Sequence, residues 1–106
     1  MLGSLEQFVL MAVLRQAGNA YGVSIGEELR TRTGKDYSLG SLYTTLERLE
    51  AKKYVRSREG AATAERGGRA KRLFEITGLG QAALSESMRS TAAMARGLPA
   101  LKEATP

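Results

Sequence analysis

The segment 38–77 constrains the fold more than any other part of the chain. It opens Ser38-Leu-Gly-Ser-Leu-Tyr-Thr-Thr-Leu-Glu-Arg-Leu-Glu50, with leucines at 39, 42, 46 and 49. Spacings of three and four lay these side chains along one stripe of a helix. Ser38 is a good N-cap, and the stripe is expected to pack inward. The opposite face carries Ser41, Thr44, Thr45 and Arg48, with Glu47 to the side. Lys52 and Lys53 follow, which suit a helix C-terminus. Residues 54–58 and 69–76 read as two strands. Between them, residues 59–68 are small, polar and glycine-rich, the composition of a mobile loop. Two strands are marginal alone, so this hairpin must lean on helices. Thr77 then caps a last helix that should run to about Leu98, where Pro99 stops it.

Two further helices precede this segment. Ser4 and Gln7 have capping-box spacing. The helix they open should run to about Arg15, with Gly18 as its stop. It is apolar almost all round, from Leu5, Phe8 and Val9 through Leu10, Met11, Ala12, Val13 and Leu14. A helix with one wet face alternates more clearly. This one is either the central core helix of its own chain or is shared with a partner subunit. Asn19-Ala-Tyr21-Gly22 opens the second helix, whose inward face is Val23, Ile25 and Leu29 and whose end is Gly34. In the last helix Leu84, Met88, Thr91, Ala95 and Leu98 form a seam of about two heptads. That seam suits either a coiled-coil partner or packing back on its own domain. The order is helix, helix, helix, strand, strand, helix, which is mainly α with a small β-wing. Residues 1–76 then read as a winged helix-turn-helix, 77–98 as a C-terminal helix and 99–106 as a tail.

Charge is concentrated where a groove-reading device would need it. The chain of 106 residues has a net charge of +5. The window 52–72 holds eight basic residues against two acidic ones, a net of +6, and the remainder is −1. A basic run is often just a solvated face. Here it follows a polar-faced helix and includes a hairpin, an arrangement that grips phosphate through counterion release. Function classes fall away by composition. Cysteine and histidine are absent, which removes disulfides, thiolate nucleophiles and the usual zinc ligands and general bases. Gly67-Gly68 follows a loop and precedes a strand, so it is not a phosphate-binding fingerprint. No cofactor, metal or enzymatic activity is expected. No run approaches the ~20 apolar residues of a membrane span, and no secretory signal is evident, so a cytoplasmic protein is expected. The competing class is a winged-helix protein–protein module, which would show an apolar outer stripe on the third helix.

The chain resembles the PadR family of bacterial transcriptional regulators. The resemblance is carried by Tyr21-Gly22, by Leu39-Gly40-Ser41-Leu42-Tyr43-Thr44-Thr45-Leu46-Glu47-Arg48-Leu49, and by Gly67-Gly68-Arg69-Ala70-Lys71-Arg72-Leu73-Phe74-Glu75-Ile76-Thr77-Gly78-Leu79-Gly80. It departs from the family pattern at Ala70, Leu73-Phe74 and Glu75, where proline, tyrosines and a basic residue are frequent. The resemblance implies a homodimeric repressor on a palindromic operator in double-stranded DNA. It also implies dimerisation through the last helix with help from the first, here Leu5, Phe8, Val9, Leu84, Met88, Thr91, Ala95 and Leu98. Some family members take flat aromatic ligands on a tryptophan. This chain has no tryptophan, so a small-molecule effector is left open, with Met11, Met88 and Met94 as packing or as its lining.

The DNA-facing candidates on the third helix are Ser38, Gly40, Ser41, Tyr43, Thr44 and Arg48. On the wing they are Arg66, Arg69, Lys71 and Arg72, with Arg69 and Lys71 on one face and favoured over Arg72. Tyr21 is a structural residue or a hydroxyl contact to phosphate. Tyr43 is a core ring or a phosphate contact. Gly40 should mark close approach of DNA or of a neighbouring helix.

Overall fold

The computed structural model describes residues 2–62 and 70–100. Helix α1 spans Ser4–Arg15, α2 Gly22–Thr33 and α3 Leu39–Ala51; strands β1 (Val55–Ala62) and β2 (Ala70–Ile76) form the wing, and α4 spans Gly78–Ala95. α1 is central, packed by α2, α3, β2 and α4. Its Val9, Leu10, Ala12 and Val13 are buried with Ile25, Leu29, Leu42, Leu46, Leu49, Val55, Phe74 and Leu84 in one core.

The start of α1 differs from expectation by one residue. Gly3, not Ser4, is the N-cap, and the Glu6 carboxylate accepts from the Gly3 N–H at 2.9 Å. Gln7 instead accepts from the Ser87 hydroxyl at 2.8 Å and so ties α1 to α4. Glu6 also meets Lys52 Nζ at 2.8 Å, joining the start of α1 to the end of α3. Burial works to raise the Glu6 pKa. The Lys52 and Gly3 hydrogen bonds, with the Lys52 and Arg48 charges, outweigh it and hold the carboxyl below the usual 4.5. A depressed folded pKa adds stability above the unfolded value, and that stability is lost as pH falls through the folded value. Glu6→Gln should therefore cost about 0.5–1 kcal/mol at neutral pH, the worth of a screened charged hydrogen bond. In thermal melts its deficit against wild type should shrink as the pH falls below 4.5.

The helix-turn-helix packs as the leucine spacing demands, with three departures. Leu42, Leu46 and Leu49 are buried, whereas Leu39 is 46% exposed. Leu39 sits in the first turn, on the flank of the stripe, and faces Gly22 of α2 rather than α1. Thr45 is buried, not on the outer face. Its hydroxyl donates to the Ser41 carbonyl at 2.9 Å, which satisfies it within its own helix. In α2 the buried positions are Gly22, Ile25 and Leu29. Val23 lies one step past that row and is 40% exposed. Gly34 caps α2 in the left-handed region, at φ 75°.

The wing is antiparallel, with Val55 opposite Ile76, Ser57 opposite Phe74 and Glu59 opposite Arg72. Residues 59–62, expected in the loop, continue β1 instead. The rest of that loop, residues 63–69, lies outside the described residues. Support comes from the segment before α2, where the Ala20 carbonyl accepts from the Phe74 N–H at 2.7 Å. At the other end Thr77 acts as a clamp. Its hydroxyl accepts from the Gly80 N–H at 3.0 Å and donates to the Lys53 carbonyl at 2.7 Å, while its N–H donates to the Tyr54 carbonyl at 3.0 Å.

α4 ends at Ala95, before the Leu98 expected. The chain turns at Arg96, and Gly97 takes φ 78°. That left-handed residue breaks the helix before Pro99 can. Gly80 and Leu84 are buried against the domain, whereas residues 91–100 are all exposed. Within one chain, then, only the first half of α4 packs back.

Candidate nucleic-acid interface

The N-terminal end of α3 is held rigidly by its cap. The Ser38 hydroxyl accepts from the Ser41 N–H at 3.1 Å and lies 2.9 Å from the Ser41 hydroxyl. Gly40, Ser41, Thr44, Glu47 and Arg48 are exposed beyond it. A Cβ at Gly40 would meet nothing within 4 Å. No neighbouring helix of this chain explains that glycine. Tyr43 packs its ring within the chain without being fully covered. Its ring covers Gly22, where an added Cβ would fall 2.7 Å from both Cζ and the hydroxyl oxygen, yet the residue is 37% exposed. Gly22 is therefore the seat that lets α3 lie close to the start of α2.

The wing meets this surface at Tyr21, the N-cap of α2. Lys71 Nζ lies 4.3 Å from the centroid of the Tyr21 ring, a cation–π distance. The expected site residues Tyr21 and Lys71 are thus brought together beside Gly22 and Tyr43. Arg72 is exposed on the other side of β2, opposite Glu59. Arg66 and Arg69 lie outside the described residues.

The basic window is also less uniform than its count. Lys52 is paired with Glu6, Arg56 with Glu75 at 2.9 Å, and Arg58 reaches the Gly18 carbonyl at 3.4 Å. Lys53, exposed and left-handed at φ 66°, closes α3. These partners are distant in sequence, so no local signal could have found them.

Residues 10–86 match the family described as Transcriptional regulator PadR-like family. The chain belongs to the PadR-like family. A solved PadR-like transcription factor from Bacteroides fragilis superposes with a TM-score of 0.75 at 22% identity, covering 86% of this chain and 82% of that one. A PadR family regulator from Eggerthella lenta gives 0.75 at 21% identity, covering 90% and 78%. A relative from Lysinibacillus sphaericus, an uncharacterised protein, is 29% identical over 92 residues, which is 85% of this chain and 80% of the relative. The fold is therefore a PadR-like winged helix with a C-terminal helix. Among the described residues no helix is long and apolar enough to cross a membrane.

In this PadR-like protein the expected dimerisation residues separate into three groups by burial. Val9 and Leu84 are buried inside their own chain. Both pack in the core where α4 rests on α1. Leu5 and Phe8 are half-buried against the same core. Met88, Thr91, Ala95 and Leu98 are exposed. An open groove of about 500 Å³ runs between α1 and α4, lined by Leu14, Leu84, Met88 and Ala92 among others. Leu14 and Ala92 did not stand out in the heptad spacing, because the groove joins two helices and has no single period. Met11 packs on the core, while Met94 is 80% exposed.

Proposed function

We propose that this PadR-like protein is a sequence-specific DNA-binding repressor that acts as a cytoplasmic homodimer on a palindromic operator. The observation that carries this is the outer face of α3. Gly40 stands open, Ser41, Thr44 and Arg48 are exposed around it, and the Lys71–Tyr21 pair lies on the adjoining surface. A recognition helix enters the major groove with its N-terminal residues. Hydroxyls and one arginine can touch base edges there, while wing cations take phosphate. A protein–protein module would need an apolar outer stripe on α3; that face carries Gly40, Ser41, Thr44 and Arg48, and the exposed Leu39 and Tyr43 stand on the flank beside Gly22 of α2. A chain without cysteine or histidine offers no ready nucleophile–base pair, so we assign it no catalysis.

The exposed part of α4, with the groove beside Leu14, is assigned to the second copy. A small apolar ligand held between the copies is the form an effector would take. Two-fold symmetry then calls for half-sites about one helical turn, ~34 Å, apart.

The test is a fluorescence titration of a duplex selected from a random library, repeated across salt concentrations. Affinity should fall steeply with salt, and Lys71→Ala should reduce the slope by about one while weakening all sequences alike. Thr44→Ala and Arg48→Ala should also change which sequences are preferred. A salt-independent affinity would remove the electrostatic basis of the proposal.

A further inference from the structure

An apolar patch interrupts the polar surface at the tip of α3. Leu39 is 46% exposed and Val23 40% exposed, and both line the groove between α2 and α3. Tyr43, 37% exposed, flanks Leu39 over Gly22. Single exposed leucines need no explanation. Here three apolar side chains gather around the first turn of the helix whose outer face is otherwise Gly40, Ser41 and Thr44. Leucine spacing alone would have turned Leu39 inward, so its exposure reflects how α3 is seated on Gly22.

We propose that Leu39, flanked by Val23 and Tyr43, determines specificity by packing against a thymine C5-methyl group in the major groove. Every base edge in that groove presents donors or acceptors, and thymine alone adds an apolar group. The methyl projects toward the groove wall, where the flank of an inserted helix lies. Open Gly40 admits the helix tip, and Lys71 lies over Tyr21, next to the Gly22 on which Leu39 and Tyr43 sit, so a cation suited to phosphate adjoins the patch on that side, while Glu27, Arg30 and Asp36 line the groove on the other. The hydroxyls of Ser41 and Thr44 serve any base with similar ease. Leu39 therefore adds a choice that they cannot make. The proposal rests on the DNA-binding function, and its test separates the two.

The probe is a duplex selected from a random library by the full-length protein, compared with copies in which each thymine in turn is replaced by deoxyuridine. At one position per half-site the wild type should lose about four-fold in affinity, the worth of one buried methyl group. Leu39→Ala should bind the thymine and deoxyuridine duplexes equally, with its circular dichroism spectrum unchanged. Re-selection with Leu39→Ala should lose the preference for thymine at that position. If duplexes are enriched but no deoxyuridine replacement weakens the wild type, the thymine contact is wrong and DNA binding stands. If no duplex is enriched, both fail. If Leu39→Ala instead changes the oligomeric state in sedimentation, the patch is a protein contact and the proposal is overturned.

Discussion

Gly80→Ala should lower the melting temperature by roughly 10–20 °C, although it adds a single methyl group near the start of a helix. At an ordinary helical site the same change is stabilising, because glycine carries a propensity penalty of about 1 kcal/mol. Here the new Cβ would collide with the Tyr54 carbonyl oxygen and fall 2.9 Å from Ile76 Cγ1. The carbonyl cannot swing away freely. It accepts from the Thr77 N–H at 3.0 Å, and the Thr77 hydroxyl lies 3.1 Å from it. Relief must come from lifting α4 off the wing or from breaking the Thr77 clamp. Overpacking of this kind costs about 1–3 kcal/mol, and more when backbone is the obstacle. In a domain of this size each kcal/mol shifts the midpoint by roughly 4–8 °C. Gly78→Ala is the control. Its Cβ would meet nothing within 4 Å, so it should melt at or slightly above the wild-type temperature. A Gly80→Ala midpoint within 2 °C or so of wild type would mean that α4 does not cross the Tyr54 carbonyl, just before β1, this closely.

That crossing illustrates what could be read from the chain alone. Caps and periodic stripes were legible because they are local. Ser38 and Thr77 cap their helices, and Leu42, Leu46 and Leu49 are buried. What depended on a partner distant in sequence was not legible. Thr45 is a separate case: the type reads as a surface residue, yet a local bond to the Ser41 carbonyl, one turn earlier in α3, lets it enter the core. Leu39 and Val23 read as core residues, yet Leu39 sits beside Tyr43 over Gly22 and Val23 lies one step past the buried row of α2, and both stay at the surface. The +6 window overstated the free charge, since Glu6 and Glu75 each take one cation from it. α4 ends at Ala95, ahead of the stop that Pro99 signals, because the chain leaves the helix at Arg96 and the left-handed Gly97. For the candidate site, residue types pointed to a face of α3 that is exposed at Gly40, Ser41, Thr44 and Arg48. Meeting of wing and helices at Lys71 and Tyr21 required the fold.

Gly40→Glu should separate folding from function in opposite directions. Gly40 is the second residue of α3, and a side chain there has nothing within 4 Å to strike. Replacing glycine in a helix gains up to about 1 kcal/mol. A carboxylate in the first turn also complements the helix dipole, worth roughly 0.3–1 kcal/mol. The variant should therefore melt a few degrees above wild type. The same carboxylate would project from the centre of the proposed DNA-reading face, toward phosphates and acceptor-rich base edges. Like-charge juxtaposition in an interface costs several kcal/mol, so affinity for a selected duplex should fall by at least about 100-fold. Gly40→Ala isolates the steric part: a smaller loss of affinity, with the slope against salt unchanged because no charge is altered. Melting curves and duplex titrations on the same samples provide both readouts. Full affinity in the Gly40→Glu protein would remove the N-terminal half of α3 from the interface, and with it the explanation of why a glycine stands in the first turn of that helix.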